Sequence, residues 1–166
     1  MRRRLAIALF LLPLVAGCGL RPLYAGGASG PVARSLSGIS VAPIPERAGW
    51  LTRNALVDRI GGEHKNAPLR LEVDLDDDIS GYGIRGDRSV TRERRTLRAR
   101  YRLVEASSGQ VLVDATAGSD AGIDVVSSPY ATVAAEQSAL ERLATAVADQ
   151  IVARLALYAS SQPTAR

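Results

Sequence analysis

The sequence is poor in the residues from which catalytic and ligand-binding centres are most often built. It contains one cysteine, one histidine and one tryptophan, and aromatic residues make up 4% of it. A single cysteine excludes a disulfide within the chain. The single histidine, His64, sits between Glu63 and Lys65 in a glycine-led loop and reads as a solvated side chain. A Ser-His-Asp centre or a histidine-based metal site would have to use it, and nothing nearby completes either. The pattern therefore argues against an enzyme, and it points to no metal or cofactor. Sparse aromatics argue against base-stacking platforms and against a large aromatic pocket. Gly81 and Gly83 lack the following helix that a phosphate-binding loop requires. Asp76-Asp77-Asp78 lacks the glycine and the spaced ligands of a calcium loop, so it reads as a solvated acidic turn. After the first 17 residues, no stretch is long and apolar enough to span a bilayer.

What is present begins at the N-terminus. Arg2, Arg3 and Arg4 precede an uncharged run from Leu5 to Val15, and Ala16-Gly17-Cys18 follows. A basic start, a short apolar run and small residues at a cut site describe a secretory signal. The run is about 11 residues, short of the ~20 that a helical span needs. Cleavage after Gly17 makes Cys18 the first mature residue, and the pattern resembles a bacterial lipobox. Cys18 is thus the expected lipid attachment site, carrying diacylglycerol and an N-linked acyl group such as palmitate. More than one chain is needed for stable anchoring at ~0.8 kcal/mol per buried CH2. With the signal removed, 18 basic residues face 17 acidic ones, a net of +1. The high pI of the whole chain is therefore no argument for nucleic acid or acidic membranes.

The expected organisation is a signal over residues 1–17, a lipid-anchored tether over 18–37, one domain over 38–159 and a polar tail over 160–166. The tether's Gly, Ala and Ser content gives a flexible segment whose span is roughly 20 Å over about 13 residues. Ile39–Ile44 reads as a first strand, ended by Pro43 and Pro45. Glu46–Ile60 carries Leu51, Ala55, Leu56 and Ile60 at helical spacing and stops at Gly61-Gly62. Trp50 reads as a packing anchor of that helix. Leu69–Leu75 alternates cleanly, with Leu69, Leu71, Val73 and Leu75 on one face. Asp76–Asp78 interrupts the alternation, which resumes at Ile79, Tyr82 and Ile84 with a bulge and a register switch expected between. Gly86–Ser89 suits a hairpin tip. Val90–Glu105 is the clearest strand, and Gln110 to about Val126 returns beside it. Ser128-Pro129 opens a long amphipathic helix, with Val133, Leu140, Leu143, Val147, Ile151, Leu155 and Tyr158 at spacings of three or four. The order implies an α+β fold: a four-stranded mixed β-sheet with two α-helices packed on one face.

One constellation carries functional interest. Leu97, Ala99, Tyr101 and Leu103 share one face of the third strand, and Arg94, Arg98, Arg100 and Arg102 share the other, with Arg92 in the same register. Guanidinium groups suit bidentate contacts to phosphate or carboxylate. The same arginines can instead pair across the sheet with Glu72 and Asp74, for a few tenths of a kcal/mol each. The pattern alone leaves both readings open.

Cys18-Gly19-Leu20-Arg21-Pro22-Leu23-Tyr24 resembles the mature start of alphaproteobacterial lipopolysaccharide (LPS)-assembly lipoproteins of the LptE family. Ser128-Pro129-Tyr130-Ala131, Ala148–Val152 and Arg154–Tyr158 resemble the same family's C-terminal helix, and Leu51–Leu56 is similar in style. The resemblance implies a non-enzymatic outer-membrane lipoprotein. Such proteins plug and assist assembly of the LPS-translocating β-barrel, helping deliver lipopolysaccharide to the cell surface. The barrel protein would be the partner, lipopolysaccharide a further one, and the domain would face the periplasm or the barrel lumen. Arg94, Arg98, Arg100 and Arg102 are candidate contacts to either. Gly19, in place of an aspartate associated with inner-membrane retention, agrees with outer-membrane sorting. An auxiliary lipoprotein of an ABC-type envelope transporter and a purely structural envelope lipoprotein remain the other readings.

Overall fold

The computed structural model describes residues 36–84 and 90–161. The signal, Cys18, the tether up to residue 35, the hairpin tip at Gly86–Ser89 and the last five residues lie outside the described residues. The elements run β1 (Ile39–Val41), α1 (Glu46–Ile60), β2 (Leu69–Ile84), β3 (Val90–Glu105), β4 (Val111–Asp124) and α2 (Pro129–Ser161). The strands form one sheet in the order β1-β2-β3-β4. β1 pairs with β2 in parallel, and the other two pairs are antiparallel. The expected mixed four-stranded sheet with two helices is what forms.

Alternation decides which face is covered. Leu71 and Val73 of β2, and Leu97, Ala99, Tyr101 and Leu103 of β3, point to one side and are buried. They meet Leu56 and Ile60 of α1 and Leu140, Leu143, Val147, Ile151 and Leu155 of α2 in one cluster. Leu36, just before β1, joins the same cluster at 2% exposure. α2 has 33 residues, a length of about 50 Å, which matches the length of the longest strands. α1 has 15 residues and covers less than half of that span.

Three expectations change. Asp76–Asp78 is no turn. β2 runs unbroken through it, and its pairing with β3 keeps one register from Leu69↔Glu105 to Ile84↔Val90. No switch occurs at Ile79, which stays in the register of Leu75 and Asp77. A register shift lies instead between β3 and β4, at Leu103/Val104. Trp50 is not an anchor but is 62% exposed. The packed face of α1 is instead Ala48, Gly49, Thr52, Leu56 and Ile60. His64 is half-buried rather than solvated, and its Nε2 has no hydrogen-bond partner among the described residues.

Gly49 explains the choice of face on α1. A Cβ at this position would lie 2.6 Å from the carbonyl oxygen of Ile44 and 2.7 Å from its carbonyl carbon. The helix therefore packs directly on the backbone that leads into it, and a bulky residue cannot occupy this stripe. Gly49→Ala is expected to cost about 2 kcal/mol, because backbone rather than a flexible side chain must move. Urea unfolding would show it as a lower midpoint at an unchanged slope.

Candidate functional site on the uncovered face of the sheet

Among the described residues, no helix covers the second face. Its side chains come from the even-numbered residues of β2, β3 and β4, and the register sets them in rows: Glu72↔Arg102↔Asp114, Asp74↔Arg100↔Thr116, Asp76↔Arg98↔Gly118, Thr96↔Asp120, Arg94↔Gly122 and Arg92↔Asp124. An arginine strand thus runs between two strands that carry carboxylates. Six arginines, counting Arg70, and seven carboxylates share the face, so it is mixed in sign rather than a basic patch.

The structure brings all four candidate arginines together but holds them differently. Arg100 grips Asp114 with two hydrogen bonds, Nε to Oδ1 at 3.2 Å and a terminal nitrogen to Oδ2 at 2.9 Å. Arg102 reaches Glu72 at 3.2 Å, and Glu72 also accepts from Arg70 at 2.8 and 3.0 Å. Arg92 meets Asp124 at 3.2 Å. Arg94 instead lies 5.5 Å from the ring centroid of Tyr82, within cation–π range. Arg98 makes no ion pair among the described residues. Its stem and guanidinium lie over Gly118, where a Cβ would come within 2.5 Å of a guanidinium nitrogen and 2.7 Å of Cδ. Glu72 is a cross-strand partner, as its position in the alternation suggests. Asp74 forms no ion pair among the described residues, and the β4 partners Asp114 and Asp124 went unnoticed in the sequence.

A shallow groove of about 630 Å3 crosses the middle of this face. Asp74, Asp76, Arg98, Arg100, Thr116 and Gly118 form its polar lining, and Gln150 of α2 closes one side. Gln150 reaches over the free edge of β4. Its Oε1 accepts from the Gly118 N–H at 3.2 Å, and its Nε2 donates to the Gly118 carbonyl at 3.1 Å. The side-chain amide thereby stands in for a neighbouring strand and blunts that edge.

The hydrogen bonds from Arg100 hold the Asp114 carboxyl below the ordinary aspartate range, against a small opposing effect of burial. A lowered folded-state pKa favours the native state above the unfolded pKa, and this contribution is lost as pH falls through the folded value. In Arg100→Gln, the NMR titration midpoint of Asp114 should move up toward the ordinary carboxylate range. High salt should move the wild-type midpoint in the same direction.

On the covered side lies a further charged pair that the alternation did contain. Arg95 is in the odd register of Leu97 and Ala99, and Asp77 is in the odd register of Val73 and Leu75. Arg95 Nε donates to Asp77 Oδ1 at 2.8 Å and its Nη2 to Oδ2, while Nη1 donates to the Glu136 carbonyl of α2 at 3.0 Å. These bonds clamp the uncovered half of β2 to β3 and to the N-terminal part of α2. Among the described residues, no cluster of histidine, cysteine and carboxylate side chains could hold a metal ion, and no helix is long and apolar enough to cross a membrane.

A family model for LptE, described as lipopolysaccharide-assembly, matches residues 36–155, which is most of the chain. The chain belongs to the LptE family. Membership places it in lipopolysaccharide assembly. Among solved structures, a lipoprotein from Caulobacter crescentus CB15 is similar at 25% identity and a TM-score of 0.68, covering 80% of this LptE-family chain and 100% of that one. A minor lipoprotein from Acinetobacter baumannii shares the fold at 13% identity and a TM-score of 0.57, over 77% of this chain and 95% of that one. Rare lipoprotein B from Shewanella oneidensis does so at 12% identity and a TM-score of 0.50, over 72% and 93%. The search of curated proteins found no match.

Proposed function

We propose that the protein is an outer-membrane lipoprotein, held by diacylglycerol and an N-linked acyl chain on Cys18, that plugs and assists assembly of the LPS-translocating β-barrel. In this reading it helps deliver lipopolysaccharide to the cell surface and performs no catalysis. The observation that supports it best, beside family membership, is the helix-free face of the sheet. Side chains of both signs, spaced strand by strand, suit a water-lined lumen whose inner wall is polar. Similarity to the Caulobacter lipoprotein supports the lipid anchor.

Within this reading the four arginines divide. Arg94 and Arg98 form no ion pair among the described residues and are the ones available to anionic sugars, phosphates or barrel carboxylates. Arg100 and Arg102 enter such a contact only by exchanging Asp114 or Glu72 for it.

The test is to solubilise outer membranes in mild detergent, capture the protein by a tag on its C-terminal tail and identify what co-purifies in stoichiometric amount. A single large β-barrel is the expected result. Inner-membrane transporter subunits in its place, or no stoichiometric companion, would overturn the proposal. In the same cells, Cys18→Ala is expected to abolish labelling by radioactive palmitate and to release the domain from the membrane fraction.

A further inference from the structure

β1 pairs with β2 over three residues only, opposite Leu69, Arg70 and Leu71. Beyond that point the same edge of β2 has no neighbouring strand among the described residues. The direction of its hydrogen-bonding groups follows from the ends that are paired. The Leu69 N–H donates to Gly38 and the Leu71 carbonyl accepts from Ala42, so odd-numbered residues of β2 aim at the β1 side. Alternation then points the N–H and C=O groups of Leu75, Asp77, Ile79 and Gly81 to the free edge, beyond the buried Val73, while the even-numbered residues bond β3. As whole residues Asp76 through Gly83 are all exposed, with only the Asp77 side chain tucked against Arg95, so no helix or loop among the described residues covers this stretch of backbone. The contrast with β4, whose edge Gln150 blocks at Gly118, is direct.

The side chains that flank this edge define what could pair with it. Asp74, Asp76 and Asp78 project from the uncovered face, and none of them forms an ion pair among the described residues. Leu75 and the 41% exposed Ile79 project from the other. A strand added here places alternate side chains beside the three aspartates and the intervening ones beside the apolar positions. A second copy of this chain does not suit the site. Its own β2 edge would bring the same aspartates face to face, and its β4 edge carries Asp114, Asp120 and Asp124. Like charges directly opposite each other destabilise pairing.

We propose that the free edge of β2 from Leu75 to Gly81 is a docking site for an extended segment of a partner protein in which basic and apolar residues alternate, bound by strand addition. The inference stands apart from the barrel and lipid reading, since it uses only the unpaired edge and its charges. The chain itself supplies a suitable probe. β3 is the strand that satisfies the opposite edge of β2, and its segment Leu97–Leu103 alternates apolar residues with Arg98, Arg100 and Arg102.

The experiment adds the capped heptapeptide Leu97–Leu103 to the folded protein and follows amide exchange by NMR. The amides of Leu75, Asp77, Ile79 and Gly81 are expected to slow by about tenfold or more at saturation, with the even-numbered amides unchanged because β3 already protects them. A peptide of the same composition with its arginines grouped together, and one with glutamate for arginine, are expected not to do this. Ile79→Pro removes an outward N–H that β3 does not use, so it should weaken peptide binding by about tenfold or more while the domain stays folded. Asp76→Lys with Asp78→Lys provides an independent check and should exchange preference for the arginine peptide for the glutamate one. Slowing of odd and even amides alike, no slowing, or unchanged preference in the lysine variant would each refute the proposal. So would protection of the odd amides before peptide is added, or protection that rises with protein concentration, because the edge would then belong to this chain or to a second copy.

Discussion

Asp77→Ala is expected to lower the unfolding free energy by about 3 kcal/mol. The side chains of Arg95 and Asp77 are 12% and 19% exposed and bound to each other at two points. The Arg95 guanidinium also donates to the Glu136 carbonyl of α2. Removing the carboxylate leaves a desolvated cation with one neutral partner, which is the costly way to break such a pair. The loss falls where α1 does not reach, so β2, β3 and α2 have little other packing to fall back on there. Calorimetry should show a melting temperature lower by roughly 10 °C. Arg95→Met should cost less than Asp77→Ala, since it leaves a carboxylate that can turn to water. The double variant Asp77→Leu with Arg95→Met should be more stable than Asp77→Ala, as apolar replacement of both partners is often near neutral. A double-mutant cycle with additive effects would show that the pair contributes nothing beyond its separate contacts.

That pair also shows where the sequence speaks and where it misleads. Period-2 alternation in β3 and the first half of β2, and three-and-four spacing in α2 from Leu140 to Leu155, state the elements and the buried face directly, whereas Val133 at the start of that spacing is exposed and Thr132 is buried in its place. Three successive aspartates have strong turn statistics, yet β2 passes straight through them. Two of them face water, and the third, Asp77, finds Arg95. The resolving signal is register: Arg95 shares odd parity with Leu97, and an inward-facing cation needs an inward-facing anion. Strand pairing is the missing information, because Asp77 and Arg95 are neighbours only once β2 and β3 lie side by side.

Trp50 misled for a different reason. A large apolar ring suggests a core position, but α1 approaches the carbonyl of Ile44 so closely that only a small residue fits at the contact. The packed stripe is Ala48, Gly49 and Thr52, and Trp50 is turned out of it. Close approach selects small residues, which carry weak hydrophobic signals. The arginine face was legible as a row, but its chemistry was not. Whether a guanidinium is engaged depends on both flanking strands: Glu72 of β2 holds Arg102, Asp114 and Asp124 of β4 hold Arg100 and Arg92, and Gly118 and Gly122 of β4 sit opposite Arg98 and Arg94. A glycine across from a long cation leaves room for it to lie flat and offers it no opposite carboxylate from β4. The division between paired and unpaired arginines is thus set by β2 and β4 together and becomes readable only with the register.

The second large effect lies in the core, at Ile151→Ala, which is expected to cost about 4 kcal/mol. Ile151 is 0% exposed in the C-terminal half of the buried stripe of α2, with Val147 and Ala148 also at 0% and Leu155 at 1%. Those neighbours are already small or fully packed, so little can move into the space, and a residual cavity adds to the lost transfer energy. α2 is also the helix that runs the length of the sheet, so a defect there weakens its attachment to β3, to β4 and to α1 together. Leu157→Ala, six residues further on, is the matched control. Leu157 is 51% exposed, and its truncation should change stability by no more than about 0.5 kcal/mol. Urea denaturation should move the midpoint for Ile151→Ala and leave it nearly in place for Leu157→Ala, at equal slopes. Equal losses at both sites would mean that burial against the sheet does not set the stability of α2. The domain would then rest mainly on strand pairing and the charge clamps along β3.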